Sequence, residues 1–180
     1  SFRIHQAVSD VGVKSIMFSE AALTDLLIES PLSRLERLQR RAIKFFSKRL
    51  SKLLMGDLAT YFSTGLFPSP WYKHLEASKA DIIHLHFLGN EILSIKQISK
   101  ISSPVVITVH DYWVLGSGYH LSYLDDPLIN SQNPLVCKIM RYIKKIKIKY
   151  WSSKNITFVA PSSFVEKLLL KDPFLSKFKV

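Results

Sequence analysis

Three short runs rich in valine and isoleucine constrain the fold of this 180-residue chain more than any other feature. They are DIIHLH at 81–86, VVITV at 105–109 and NITFV at 155–159, and a segment long enough for a helix separates each from the next. Strands that alternate with helices are typical of a parallel sheet, and runs apolar on both faces are typical of its central strands. The sequence therefore predicts an α/β fold, a doubly wound and mostly parallel sheet in one domain over 1–180.

The remaining elements follow from apolar spacing and from glycine and proline positions. We predict helices over 2–8, 33–54, 71–78, 91–100, 136–151 and 162–170, strands over 13–18 and 178–180, and a long irregular segment over 110–134. The chain opens inside a helical pattern and closes as a strand begins. We therefore expect a piece of a longer protein whose first strand would precede Ser1.

Composition places the chain among globular proteins, with 47% hydrophobic and 22% charged residues. It contains no apolar stretch of membrane-spanning length and no signal-peptide pattern at its start. A single cysteine, Cys137, excludes an internal disulfide framework and favours a reducing compartment. We expect a cytoplasmic protein. Its formal net charge of +11 predicts an anionic partner, which composition alone leaves open.

Much of the positive charge is concentrated in two segments. Residues 34–52 hold eight basic residues against one acid, and residues 138–149 hold six with no acid. Aromatic residues border their apolar sides at Phe45, Phe46, Tyr150 and Trp151. Two interpretations stay open: the helices lie on an anionic membrane surface, or they pack their apolar sides on the sheet and expose the rest to water. No recognition motif for nucleic acid is present, and we expect no such partner.

Histidines follow two of the apolar runs. His86 ends the first run and His110 follows the second, with Asp111 directly after it. Ligands of open parallel sheets bind beyond the carboxyl ends of the strands. We therefore expect His86 and His110 to share one crevice, with Gly89 and the glycines of the GSG segment leaving room for a ligand. His84 is interpreted as a residue that satisfies a buried hydrogen bond.

Residue spacing in the chain favours neither a metal site nor a nucleotide-binding motif. Potential metal ligands are His84, His86, His110, Asp111 and His120. We expect His84 and His86 to lie on opposite faces of their strand, which would make them poor joint ligands. The chain also lacks CxxC, HExxH, GxGxxG, GxxxxGK[ST] and GxSxG patterns. No metal and no cofactor is predicted.

Taken in order, ADIIHLHFLGN, PVVITVHDYWVLGSGYH and NITFVAPSSFVEKL resemble the amino-terminal domain of family-four retaining glycosyltransferases. The resemblance covers about residues 80–170 and is nearest to the branch that builds bacterial surface polysaccharides such as colanic acid or capsule. It implies one half of an enzyme with two Rossmann-like domains. Such an enzyme transfers a sugar from a nucleotide-sugar donor to a glycan or lipid-linked acceptor, for some members at the inner membrane face.

The resemblance also implies roles for individual residues. His110 would be catalytic, near the donor sugar and the reacting centre. The residues implied to bind substrate are His86, Asp111, Tyr112, Trp113, Gly116, Gly118 and His120.

The chain departs from the family in three ways. Where the family usually has a glycine pair and a cysteine, with further cysteines following, this chain reads GSGYH and only Cys137 remains. The glycine-rich loop after the first strand would precede Ser1, and the donor-binding domain would follow Val180. We therefore expect the isolated chain to be inactive and the intact protein to be the enzyme. The alternative is a truncated, non-catalytic domain that binds a glycan, an anionic lipid or a partner protein.

Overall fold

A computed structural model describes residues 2–20, 28–29, 31–56, 62–120 and 134–180. In these residues the chain is mixed α/β. The helices are α1 (Phe2–Asp10), α2 (Arg34–Met55), α3 (Trp71–Ala77), α4 (Ile95–Lys100), α5 (Pro134–Trp151) and α6 (Ser163–Lys171), followed by a 3₁₀ turn at Leu175–Lys177. The strands are β1 (Met17–Phe18), β2 (Ile28–Glu29), β3 (Ile83–His86), β4 (Val105–Thr108) and β5 (Ile156–Val159). Residues 121–133 of the predicted irregular segment lie outside this description.

The main sheet is parallel, as predicted, and has the strand order β3-β4-β5. Its register aligns His86 with Thr108 and Thr108 with Val159. Lys179 adds a parallel bridge to Thr157 beyond β5, where the sequence predicts a last strand. The carboxyl ends of β3 and β4 therefore lie side by side.

The core lies between the sheet and the helices. Ile83, Leu85 and Ile107 are buried in the sheet, and Met140 and Ile143 are buried on α5, which packs against α4. The prediction that the first run is apolar on both faces is wrong. Ile83 and Leu85 are buried, while His84 is exposed and His86 is half-buried on the other face of β3.

Two predicted boundaries need correction. The helix predicted from residue 91 begins at Ile95, because Ser94 caps it: the Ser94 hydroxyl accepts from the Gln97 backbone N–H in a capping box. The strand predicted over 13–18 is reduced to Met17–Phe18, which pairs with β2, an element that the sequence did not predict.

The two basic helices pack in opposite ways. The inward residues of α2 are polar, namely Arg40, Ser47 and Ser51. On α5 the apolar face points inward and Trp151 is completely buried. For this helix the interpretation in which the apolar side packs inward holds, and the one that places Trp151 at a membrane border is wrong. In the described part of the chain, no helix combines the length and the hydropathy needed to cross a bilayer.

Candidate functional site

The structure brings His86 and His110 together at the carboxyl ends of β3 and β4. Nδ1 of His86 lies 2.9 Å from Nε2 of His110, and the ring centroids are 5.2 Å apart. One of these nitrogens must donate and the other accept, so the pair holds one proton between its facing atoms. The His110 ring is exposed, and within the described residues its second nitrogen has no hydrogen-bond partner. That nitrogen is available to a ligand.

His84 lies on the same face of β3 as His86, so the expectation of opposite faces is wrong. Residues two apart on a strand share a face, and the two ring centroids are only 4.2 Å apart. Nε2 of His84 also lies 2.8 Å from the Thr108 hydroxyl on β4, so the predicted hydrogen bond is present, but the prediction that it is buried is wrong because His84 is exposed. Three imidazoles therefore form a row along the edge of the sheet.

Burial disfavours a charge on two of these rings, His84 and His86. Burial lowers the pKa of His86 to about 4, and the neighbouring His84 ring contributes to the lowering. Partial burial of the His84 ring lowers its pKa from the ordinary value as well, although the residue as a whole is exposed. Near neutral pH, His86 is therefore an uncharged hydrogen-bond partner for His110.

Asp111 and His120 belong to a second series of hydrogen bonds, separate from the row of three imidazoles. Oδ2 of Asp111 lies 2.7 Å from Nδ1 of His120, and Nε2 of His120 lies 3.0 Å from the Ser63 hydroxyl. The same hydroxyl accepts from the Asn90 backbone N–H at 3.0 Å, and Oδ1 of Asp111 accepts from the Trp113 backbone N–H. Although the order serine, histidine, aspartate matches a nucleophilic triad, Ser63 is only 5% exposed. The hydrogen bonds from Asp111 through His120 and Ser63 to Asn90 thus connect the loop after β4 to the loop after β3.

The loop after β3 is strained. Phe87, Asn90 and Glu91 have φ values of 52°, 55° and 55°, a left-handed conformation that non-glycine residues seldom adopt. Such strain persists only where the surrounding contacts fix it, and it is concentrated at functional sites. Gly89 lies in the same loop, where an added Cβ would come within 2.5 Å of the Phe87 ring and 3.0 Å of the His120 ring. Its small size therefore serves packing between these rings rather than space for a ligand.

Glu91 fixes this loop from inside the protein, a role that the sequence analysis missed. Its side chain has no exposed surface and accepts four hydrogen bonds. The donors are Ser47 Oγ, Thr64 Oγ1, Gly65 N and Phe67 N, at 3.0–3.3 Å. A buried carboxylate is stable only with such partners. In the sequence, the only indication of this role is that an acidic residue directly follows the segment FLGN.

Arg40 of α2 fixes the backbone of the same loop. It is 4% exposed, and it donates to the Glu91 carbonyl at 2.8 Å and to the Asn90 carbonyl at 2.5 Å. It also pairs with Glu20, which Lys44 contacts as well. Burial alone would raise the pKa of Glu20, but its bonds to Lys44 and Arg40 outweigh burial and lower it. Arg40 therefore stabilises the loop after β3 and is not part of an exposed basic face.

Most of the predicted segment 112–118 is buried. Trp113 is fully buried and donates from its indole nitrogen to the Ser63 carbonyl at 2.8 Å. Gly116 and Gly118 are buried as well, and Tyr112 is half-buried. Trp113 and the two glycines therefore support the site from within; in this structure they do not line its surface.

Lys147 of α5 holds this segment in place. It is 2% exposed and donates to the carbonyls of Trp113 and Gly116, and its ammonium lies 3.9 Å from the centroid of the Trp113 ring. The prediction that places Lys147 on an exposed basic face is therefore wrong. It belongs to the support of the candidate site.

An open cavity lies near this edge. Its volume is about 440 Å³, and it is lined by residues 157–163 with Glu166 and Val180, at the carboxyl end of β5. His86 and His110 are not among its lining residues. Outside this cavity, the His110 ring is exposed and the His86 ring is half-buried. Across the described ranges, no three histidine, cysteine or acidic side chains are arranged to hold a metal ion.

Comparison of the chain with models of known protein families, with curated proteins and with solved structures finds no match in any of the three.

Proposed function

We propose that this chain is the acceptor-side, Rossmann-like domain of a retaining glycosyltransferase that acts in surface-polysaccharide synthesis. The contact of 2.9 Å between His86 and His110 carries the proposal. It supports the proposal because both rings lie at the carboxyl ends of adjacent parallel strands, where open α/β sheets bind ligands. The resemblance of the HLH, TVHD and APS segments to family-four enzymes gives the reaction class.

His110 would act directly on the sugar. Its exposed ring nitrogen can hydrogen-bond a sugar hydroxyl near the reacting carbon, while His86 fixes the ring from the other side. Because its pKa is near 4, His86 is neutral at physiological pH and adds no charge that would repel a cationic state of His110. Asp111 is held by His120 and would complete the polar surface that faces the substrate.

The rest of the reaction needs groups beyond this edge. Transfer requires that the nucleotide diphosphate leaving group is neutralised and that water is excluded from the reacting centre. The His110 ring is open to water here. We therefore infer that a second, donor-binding domain completes the site in the intact enzyme.

The test uses the complete reading frame that contains this chain. Release of nucleoside diphosphate from a panel of nucleotide sugars is measured with oligosaccharide and lipid-linked acceptors, and the anomeric configuration of the product is read by NMR. His110→Ala is expected to lower kcat by at least about 100-fold, which is typical for loss of a group that stabilises a transition state. His74→Ala is the matched control, because His74 pairs with Glu36 on the surface of α2 and α3. It is expected to retain near-normal turnover.

Two results would overturn the proposal. One is the absence of turnover with every donor tried. The other is near-normal turnover by His110→Ala. Binding of oligosaccharides without any transfer would instead favour a non-catalytic glycan-binding domain.

A further inference from the structure

Helix α2 presents an apolar stripe to the solvent. Five large side chains on it are more than half exposed: Leu35 (75%), Leu38 (63%), Phe45 (56%), Phe46 (61%) and Leu53 (83%). At 100° per residue they fall within an arc of about 100°, so they form one continuous face. The stripe runs for about 27 Å along the helix, at 1.5 Å per residue.

The apolar stripe faces the solvent because the opposite face of α2 is hydrogen-bonded to the rest of the protein. Arg40, Ser47 and Ser51 lie on that face and are 4%, 6% and 1% exposed. Arg40 and Ser47 hydrogen-bond to Glu91, and Ser51 donates to the Phe62 carbonyl. Turning the apolar face inward would break these contacts and leave the Glu91 carboxylate buried with fewer partners. The orientation of α2 is therefore fixed by the same contacts that hold the candidate site.

Cations border the stripe. Seven basic side chains of α2 are exposed, and these are Arg34, Arg37, Arg41, Lys44, Lys48, Arg49 and Lys52. Of these, Lys44 pairs with Glu20. The guanidinium of Arg49 lies 5.4 Å from the centroid of the Phe45 ring, within the stripe itself. The only acidic residue of the helix, Glu36, is engaged by Ser33 and His74.

We propose that α2 binds an anionic lipid bilayer, with its long axis in the plane of the membrane and its apolar stripe inserted at the headgroup boundary. A strongly amphipathic helix with bulky apolar residues on one face and lysine and arginine beside them is the type of helix that binds such surfaces. Each cation near a negatively charged leaflet adds to the attraction. The helix α5, whose apolar face is buried, takes no part.

Charge argues against a second copy of the chain as the occupant. A two-fold contact places the same patch of both subunits face to face. Two α2 helices would then bring seven exposed cations of each copy together, with Glu36 as the only acidic residue of α2 to offset them. An anionic bilayer complements both the apolar stripe and its charge.

Vesicle sedimentation with the 180-residue chain tests this proposal. Vesicles of phosphatidylcholine alone are compared with vesicles that also contain phosphatidylglycerol. The chain is expected to sediment with the anionic vesicles only, and 1 M salt is expected to release most of it, because the screening length falls to about 3 Å. Phe45→Ser with Phe46→Ser, and separately Lys48→Glu with Lys52→Glu, should each weaken binding at least tenfold.

Matched controls come from α6. Phe164 is 55% exposed, close to the values for Phe45 and Phe46, and Lys167 and Lys171 are exposed. Phe164→Ser, and Lys167→Glu with Lys171→Glu, are expected to change binding less than twofold. Circular dichroism verifies that all variants keep their helices.

Insertion can be observed directly by fluorescence. The native tryptophans Trp71, Trp113 and Trp151 are at most 5% exposed, so lipid-borne quenchers reach them poorly. Phe46→Trp should shift its emission to the blue and be quenched by brominated lipids, whereas Phe164→Trp should not. Three results would overturn the proposal. The chain could fail to bind anionic vesicles, or the α2 and α6 variants could bind them equally well. The chain could also self-associate in solution and lose this association in the variant Phe45→Ser with Phe46→Ser, which would make a second copy the occupant. Because vesicle binding requires no sugar transfer, it can succeed or fail independently of the proposed enzyme activity.

Discussion

Nδ1 of His86 faces Nε2 of His110 across 2.9 Å, with the His84 ring packed behind at a centroid distance of 4.2 Å. The facing nitrogens share a single hydrogen, so only one of them can carry a proton while the contact is made. Protonation of both facing nitrogens would break it.

Acid is expected to destabilise the protein through His86. Its pKa is near 6.5 in the unfolded chain and is lowered to about 4 in the folded protein. Between these values the unfolded state binds more protons, so the free energy of unfolding falls as the pH falls from 6.5 to 4. After a reduction for solvent screening, this site is expected to contribute about 1–2 kcal/mol. Denaturant unfolding measured at several pH values checks the slope.

The variant His86→Asn separates this effect from other titrations. An asparagine keeps a hydrogen-bonding group near His110 but binds no proton in this range. The difference in unfolding free energy between the original protein and His86→Asn should shrink or reverse as the pH falls. A constant difference from pH 7 to pH 4 would show that His86 is not the titrating group.

Glu91→Gln tests the support beneath the loop after β3. Oε1 of Glu91 accepts three hydrogen bonds and Oε2 accepts one from the Phe67 N–H, so a glutamine must turn its own NH₂ toward at least one buried donor. We expect a loss of about 2–4 kcal/mol in the free energy of unfolding. Urea denaturation followed by tryptophan fluorescence measures it.

Glu166→Gln is the matched control for this change. Glu166 lies on the exposed surface of α6, and surface substitutions of this kind change stability by less than about 0.5 kcal/mol. Equal losses in the two variants would mean that the four bonds to Glu91 are energetically unimportant.

The parallel sheet could be predicted because its information is local. Strands can be identified from the sequence alone where runs of β-branched residues alternate with segments of helical spacing. The strands β3, β4 and β5 lie within the predicted runs. The approach of His86 to His110 likewise follows from two consecutive strands ending at one edge. The orientation of His84 was mistaken through a wrong assignment of strand faces, which alternation along β3 corrects.

The support of the site could not be predicted, because it depends on partners distant in sequence. Arg40 and Glu91 are 51 residues apart, and Ser63 and His120 are 57 apart. Arg40 and Lys147 were counted with exposed basic faces, since a charged side chain is seldom buried. Only the tertiary structure reveals the carbonyl groups that they bind.

A double-mutant cycle tests the link between the two loops at the site. Ser63→Ala and His120→Phe each remove one partner of a contact of 3.0 Å. We expect a coupling energy of about 0.5–2 kcal/mol, because residues in one hydrogen-bond network do not act additively. The pair His120→Phe and Ser162→Ala is the control, since Ser162 caps α6 instead, and its coupling should be near zero. Additive losses for Ser63 and His120 would show that the two residues are not linked.

Gly118→Ala tests how closely the segment 112–118 packs against residues 62–63. Gly118 has φ +112°, and an added Cβ would come within 2.8 Å of both the Phe62 ring and the Ser63 carbonyl oxygen. Gly12 has φ +82° but nothing within 4 Å of its Cβ position. Both substitutions strain the backbone, but only Gly118→Ala also overpacks the interior, so we expect losses of about 3 kcal/mol against about 1 kcal/mol. Because Ser63 binds His120, Gly118→Ala should also shift the NMR resonances of the His120 ring, whereas Gly12→Ala should leave them unchanged. Equal losses with an unmoved His120 signal would show that backbone conformation alone, and not contact with residues 62–63, requires glycine at position 118.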